Sequence, residues 1–196
     1  MFSILRRSSC DKHNGELSSH LSQDSLRYWS GSRVNERNDR MSELLNWPPE
    51  FHPDRAPVFA HNEIVTARPA PDLWPALIRA AEWPEWYAHA SDVRGIGPGE
   101  DLFLGATFSW KTLGVRVTTT VTELVPHRAL AWRGTARGSR GYHRWVLHPT
   151  ADGGCRIVTE EVQVGPIPTM LAARLRKNLA VYHQEWLEGL VAHGEA

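Results

Sequence analysis

A histidine and a glutamate in successive predicted strands could carry acid–base chemistry. In Gly141–His148 the period of two of a β-strand places His143 and Trp145 on the same face of the sheet. In Cys155–Val164 the same alternation assigns Glu161 to one of the two faces. Residues directly opposite on neighbouring strands lie about 4.5–5.5 Å apart, and diagonal ones about 7–8 Å. Contact between His143 and Glu161 is therefore feasible, although the sequence does not fix the register.

Such a pair fits two kinds of chemistry, and both stay open. Burial raises the pKa of a carboxyl group, whereas an adjacent histidine opposes that rise. Cyclisation or dehydration of a β-keto compound needs a base for an acidic C–H and an acid for a hydroxyl, each worth about 10² to 10⁴ in rate. A buried His–Glu pair can equally orient a strand, or hold the polar group of a ligand, without turnover.

Tryptophan is the compositional exception. The chain has nine tryptophans in 196 residues, and seven of them fall between Trp74 and Trp186. Indoles can simply fill a core, but ligand pockets are also largely apolar with a few placed polar groups. We predict a ligand pocket lined by Trp83, Trp86, Tyr87, Phe108, Trp110, Trp132, His143, Trp145, Glu161, Leu175, Leu179, Tyr182 and Trp186.

The elements that position these residues follow from periodicity and turn residues. A first strand is predicted over Val58–Ala67, then a short helix capped by Asp72, with Pro75 in its first turn, ending near Ala81. A second, briefer helix or turn carries WPEWY. Six further strands follow, with Gly- or Pro-containing turns between them, at Val93–Ile96, Leu102–Lys111, Val115–Val125, Ala129–Gly134, Gly141–His148 and Cys155–Val164.

A long amphipathic helix closes the chain. Thr169 can cap it, and it is predicted to run to about His193 with one apolar stripe of Leu171, Leu175, Leu179, Tyr182, Trp186 and Leu190. At 1.5 Å per residue, about 25 residues span roughly 37 Å, enough to cross a sheet.

This order, together with the segments APDLWPAL, FSWKTLGVRVTTTVTELVPHRALAWRG and GYHRWVLHPTADGGCRIVTEEVQVGP, resembles the polyketide cyclase/dehydrase branch of the START-like (SRPBCC) superfamily. The resemblance covers Ala56 to about His193. It implies an α+β helix-grip fold, a seven-stranded antiparallel sheet with two short helices after strand one and a long C-terminal helix around a hydrophobic cavity. Fold alone does not fix function, because this scaffold hosts carriers, receptors, cyclases and co-chaperones.

Composition narrows the function classes. Lys plus Arg equals Asp plus Glu, 22 against 22, which argues against nucleic acid as a partner. Neither Cys10 and Cys155 nor the scattered histidines have a metal or redox spacing, so no metal and no cofactor are predicted. No apolar run is long enough for an integral membrane helix, and a cytoplasmic monomer or homodimer is predicted.

The chain divides into three predicted parts. Residues 1–40 are polar and aperiodic, which predicts a disordered tail or a mis-assigned N-terminus; 41–55 is predicted as a linker, and 56–196 as the START-like domain. The leading functional hypothesis is binding of a small hydrophobic or aromatic ligand of lipid, polyketide or isoprenoid type. The alternatives are an aromatase/cyclase or dehydratase using His143 and Glu161, and a co-chaperone-like protein partner.

Overall fold

The computed structural model describes residues 47–193, whose centre is one antiparallel sheet of seven strands. The predicted tail, 1–40, and the first part of the predicted linker lie outside the described residues. The strand order is β1-β7-β6-β5-β4-β3-β2, so the first strand joins the last and the others follow as a meander. The strands are β1 Val58–Thr66, β2 Ala90–Arg94, β3 Thr107–Thr112, β4 Val115–Val125, β5 Ala129–Ala136, β6 Ser139–Pro149 and β7 Cys155–Val164.

Two short helices separate β1 from β2, and two more follow β7. The helices are α1 Ala70–Ile78, α2 Trp83–Trp86, α3 Pro166–Met170 and α4 Ala172–His193, and 3₁₀ turns lie at Pro49–Phe51, Pro53–Arg55 and Ala80–Glu82. The predicted α+β helix-grip architecture is therefore confirmed, with α4 as the long C-terminal helix.

The starts of the two predicted capped helices are wrong. Helix α1 begins at Ala70 without a side-chain cap, so Asp72 lies inside its first turn and Pro75 inside the helix. Before α4, the chain forms the separate short helix α3 and breaks at Leu171, and the Thr169 hydroxyl donates to the carbonyl oxygen of Gly165. Proline fixes φ and has no N–H, so Pro166 and Pro168 let a helical turn begin here before the long helix does.

The third strand also begins later than predicted. Leu102 lies in the loop before β3, where its amide donates to the carbonyl oxygen of Ile78, and its side chain is buried. Gly105 follows with a φ of +88°, a left-handed conformation that interrupts the predicted strand before β3 begins. Leu102 therefore belongs to a loop and packs on α1, whereas the neighbouring Phe103 and Leu104 are exposed.

The main core lies between the concave face of the sheet and the helices. Its centre is Trp83, which is fully buried and donates its indole N–H to the carbonyl oxygen of Leu77 at 3.1 Å. The ring of Trp83 packs on Trp110, Trp132 and Trp186 with centroid distances of 5.1–5.5 Å. The indoles thus pack on one another and occupy much of the space that a large cavity would need.

The outer face of the sheet carries its own small core. Phe51 stacks on Tyr142 at 5.8 Å, and Trp47 lies edge-on to the same ring and over the Arg144 guanidinium at 4.3 Å. Residues 47–55, expected as part of a linker, thus pack on the sheet. Arg144 also forms an ion pair with Glu160 at 2.5 Å.

None of the helices within 47–193 is long and apolar enough to cross a membrane.

Candidate functional site

A pocket of about 100 Å³ lies between α4 and the concave face of the sheet. The middle of α4, from Leu179 to Trp186, contributes to the lining, together with residues of β3 to β7 and of the turn between β3 and β4. Its lining comprises Tyr87, Trp110, Thr112, Leu113, Val117, Trp132, Gly134, Ala136, Ser139, Gly141, His143, Glu161, Gln163, Leu179, Tyr182, His183 and Trp186.

Sheet register brings the predicted acid–base pair together. His143 on β6 is directly opposite Glu161 on β7, and the Nδ1 atom of His143 lies 3.3 Å from the Oε2 atom of Glu161. His183 on α4 reaches the same oxygen from the other side, with its Nε2 atom at 3.1 Å. Two imidazoles in the lining of the pocket therefore converge on one carboxylate oxygen.

Neighbouring polar groups hold this triad in place. The Nε2 atom of His143 lies 2.7 Å from the Thr159 hydroxyl, and the Gln163 amide donates to the Oε1 atom of Glu161 at 2.7 Å. Both partners come from β7 with the same alternation as Glu161. The side chains of His143 and His183 are 5% and 3% exposed, so water cannot substitute for these contacts.

The surroundings favour a neutral histidine beside an ionised carboxylate. Burial, reinforced by the neighbouring His183, lowers the pKa of His143 from 6.5 to about 3, although Glu161 opposes the shift. Burial disfavours the charged form of Glu161, but hydrogen bonds from His183 and Gln163 and the nearby imidazoles outweigh it and lower its pKa below the usual range. Near neutral pH an ionised Glu161 therefore lies beside a neutral His143.

Eight of the thirteen predicted pocket residues line this pocket: Tyr87, Trp110, Trp132, His143, Glu161, Leu179, Tyr182 and Trp186. The other five lie elsewhere. Trp83, Phe108 and Trp145 are buried in the main core, and Trp86 stacks on His193 at the end of α4. Leu175 packs on the separate cluster of Val58, Ala60 and Leu179. Alternation thus separated inward from outward residues but not pocket from core.

His183 was missed as a site residue. Its signal was present, because it lies on the buried stripe of α4, four residues after Leu179 and three before Trp186. A histidine on the buried face of an amphipathic helix needs a polar partner. The sequence also contains glycines whose lack of a side chain leaves space here, since Gly134 and Gly141 are paired across β5 and β6 and both line the pocket.

The sheet order, the long C-terminal helix and the pocket between them define a protein of the helix-grip class. Residues 59–195 match the family described as polyketide cyclase/dehydrase and lipid transport, and the chain belongs to this family. No curated protein matches the chain.

Solved structures of similar fold span most of the described residues. The hypothetical protein jhp0584 from Helicobacter pylori is 27% identical, with a TM-score of 0.70, over 76% of this chain and 95% of its own. The ZhuI aromatase/cyclase from Streptomyces sp. R1128 is 15% identical, with a TM-score of 0.58, over 70% and 93%. The protein TTHA0849 from Thermus thermophilus is 14% identical, with a TM-score of 0.54, over 69% and 96%.

Proposed function

We propose that the chain binds a small, flat, largely apolar molecule in this pocket, with a polar end of the ligand directed at His143, Glu161 and His183. The observation that carries the proposal is the division of the lining between aromatic side chains, among them Trp110, Trp132 and Trp186, and the hydrogen-bonding cluster of His143, Glu161 and His183. Such a division is typical of ligand sites, in which few polar groups orient an apolar body.

The walls suit an aromatic or conjugated ligand. Trp110, Trp132 and Trp186 contribute indoles, and the indole N–H of Trp186 has no hydrogen-bond partner among the described residues. Ring faces favour offset or edge contacts with other rings, worth about 0.5–1.5 kcal/mol beyond area burial. A ring system with an oxygen substituent would use both the indoles and the hydrogen-bonding cluster.

The volume limits the ligand. A cavity of about 150 Å³ accommodates benzene, and drug-sized ligands occupy about 300–1,000 Å³. The pocket volume of about 100 Å³ is smaller than either. Even a single-ring ligand therefore requires α4 or the hairpin ends to move outward, and a bicyclic ligand requires a larger movement. The half-exposed Leu113, at the turn between β3 and β4, lies at the outer limit of the lining.

Native mass spectrometry of the purified full chain tests for a co-purified ligand, and calorimetric titration with 2-naphthol tests binding of a ring with one oxygen. We expect 1:1 binding that Gly141→Ala weakens at least about tenfold, equivalent to about 1.4 kcal/mol. The added methyl group would enter the lining at 3.4 Å from the Oε1 atom of Glu161, an ordinary contact, so the fold should tolerate it.

Thr135→Ala is the matched control, because Thr135 is exposed and lies next to Gly134 on the same strand. Equal affinity of the Gly141→Ala variant and the wild-type chain, or no bound molecule in either measurement, would contradict the proposal. We further propose that the protein acts in the cytoplasm and has no nucleic-acid partner. The equal numbers of basic and acidic residues support the absence of a nucleic-acid partner.

A cyclase or dehydratase is the second candidate, and the contact between His143 and Glu161 favours it. This activity requires turnover of a β-keto substrate that Glu161→Gln abolishes in a folded protein. Binding without turnover would support the carrier function and exclude the cyclase or dehydratase. The co-chaperone-like alternative stays a prediction, which a pull-down from cell extract would test.

A further inference from the structure

We propose that His143, Glu161 and His183 form a binding site for a divalent transition-metal ion in the lining of the pocket. Each residue offers one ligand atom, and the three atoms lie within 4.8 Å of one another. The inference goes beyond the proposed function, because an ion can bind here whether or not an apolar molecule fills the pocket.

The distances suit a small cation. Zinc bonds to histidine nitrogen at about 2.0–2.1 Å and to carboxylate oxygen at about 2.0–2.2 Å, so two donors on a tetrahedral ion lie about 3.3 Å apart. The Oε2 atom of Glu161 is 3.3 Å from Nδ1 of His143 and 3.1 Å from Nε2 of His183. Two edges of the coordination polyhedron are therefore already near their required length.

The surrounding hydrogen bonds match those of a metal ligand set. With Nδ1 of His143 on the ion, its Nε2–H donates to the Thr159 hydroxyl, which lies 2.7 Å away. The Gln163 amide binds Oε1 of Glu161 and leaves Oε2 directed at the two imidazoles. Outer partners of this kind fix the tautomer and orientation of metal ligands.

The polar contacts of the three residues also fit a cation site. Within residues 47–193 the ion-pair partners of Glu161 are His143 and His183, with no Lys or Arg among them. His183 itself hydrogen-bonds to Glu161, and its buried Nδ1 atom has no partner among the described residues. Within the described residues its polar contact is therefore the one with Glu161, through the Nε2 atom that would bind the ion.

Ligand type narrows the identity of the ion. Two imidazoles and one carboxylate are typical of zinc and non-haem iron(II) sites, whereas calcium and magnesium prefer oxygen ligands. Three protein ligands leave a coordination position open, and all three residues line the pocket. A carbonyl or enolate oxygen of a ligand could occupy that position, where the ion would polarise it as a Lewis acid.

The test uses the untagged full chain after removal of metals with EDTA. Co²⁺ is added and its visible absorption recorded, and Zn²⁺ binding is measured by calorimetry. We expect one ion per chain, with His183→Gln and Glu161→Gln weakening binding by at least about 100-fold and Thr159→Val by about 10- to 100-fold. Thr159→Val keeps the shape of the side chain, so it remains informative if the other two variants do not fold.

His89→Gln is the matched control, because His89 and Glu185 form a more exposed His–Glu pair at 2.6 Å outside the pocket lining. We expect its metal affinity to equal that of the wild-type chain. Absence of stoichiometric binding, or unchanged affinity in the folded triad variants, would show a hydrogen-bonded triad without an ion and overturn the proposal. Titration with 2-naphthol in the presence of EDTA tests the proposed ligand binding separately.

Discussion

At the level of single side chains, burial controls the reactivity of Cys155. This residue begins β7, is fully buried, and packs in the main core. Burial raises the pKa of its thiol from 9.0 to about 11, against smaller opposing effects of a backbone hydrogen bond and Arg128. Since the thiolate is the reactive form, the folded chain should protect this cysteine at about pH 8.

We expect Cys155 in a Cys10→Ser variant to react with a chromogenic disulfide reagent at least about 100-fold more slowly in the native state than in about 6 M guanidinium chloride. The variant removes the other cysteine from the assay. Rapid stoichiometric labelling of the native protein would show that the start of β7 opens readily.

Asp92 provides a pH-dependent interaction on β2. Its φ of 51° lies in the left-handed region, and its carboxylate contacts Arg94, Lys111 and Arg116. The hydrogen bond from Arg94 is the main cause that lowers the pKa of Asp92 from 3.8 to about 2. A carboxyl group with a depressed folded-state pKa contributes stability above its unfolded pKa and loses it as the pH falls through the folded value.

Asp92→Asn should therefore lower the free energy of unfolding at about pH 7, and the difference from wild type should shrink between about pH 4 and pH 2. Asparagine tolerates a positive φ, so the backbone should be retained. Urea unfolding at several pH values measures the effect. Asp101→Asn, which removes a single exposed pair with Arg79, is the control. If the difference in unfolding free energy between Asp92→Asn and wild type does not change with pH, the stabilisation by Asp92 is not ionic.

Single residues also show what the sequence could predict about the site. The period of two correctly gave the faces of His143 and Glu161, because a strand alternates its side chains regardless of context. Their contact depended on register, which comes from turn geometry and long-range packing. His183 required the rotation of α4 relative to the sheet, which the sequence pattern of the helix alone does not fix.

At the level of elements, close approach of two helices depends on Gly189. A Cβ atom at this position of α4 would lie 2.7 Å from the carbonyl oxygen of Trp86 in α2. Alanine normally stabilises a helix relative to glycine by about 1 kcal/mol. Here the added methyl group must push α2 and α4 apart, so packing should outweigh propensity.

Gly189→Ala should lower the free energy of unfolding by about 1–3 kcal/mol, in the range of other overpacking substitutions. Chemical denaturation monitored by tryptophan fluorescence measures the change. Val181→Ala, on the exposed face of the same helix, should stay within about 0.5 kcal/mol of wild type. A stabilised Gly189→Ala variant would contradict the close packing of the two helices.

Element types were easier to predict than element ends. Turn residues and β-branched segments gave seven strands, and the apolar stripe gave the long helix. The early start of α1 and the break at Leu171 were not predicted, because neither α1 nor α3 has a side-chain cap that marks its start. The start of β3 was misplaced since Leu102 is apolar for a different reason, namely its burial on α1.

At the level of the whole molecule, the outer face of the sheet depends on residues before β1. Phe51 is 3% exposed and packs with Tyr142, Ala131 and Val162. Phe51→Ala should reduce the free energy of unfolding by about 3 kcal/mol, through lost burial and the cavity left behind. Urea denaturation provides the measurement.

A matched pair of truncations extends this test. A chain beginning at Trp47 retains the outer cluster, whereas one beginning at Pro57 loses it. We expect the second chain to unfold at lower urea concentration by a margin no smaller than that of Phe51→Ala. Equal midpoints for the two truncated chains would mean that the outer cluster does not stabilise the sheet.

The pairing of β1 with β7 has a consequence during protein synthesis. Val58 lies opposite Gln163, a partner more than 100 residues further along the chain. The first strand to leave the ribosome therefore has no place in the sheet until nearly all of the domain has been translated, and until then its hydrogen-bonding edge is unsatisfied. Contacts between such distant residues are slow to form. Formation of this ladder should consequently be a late step in the folding of the domain.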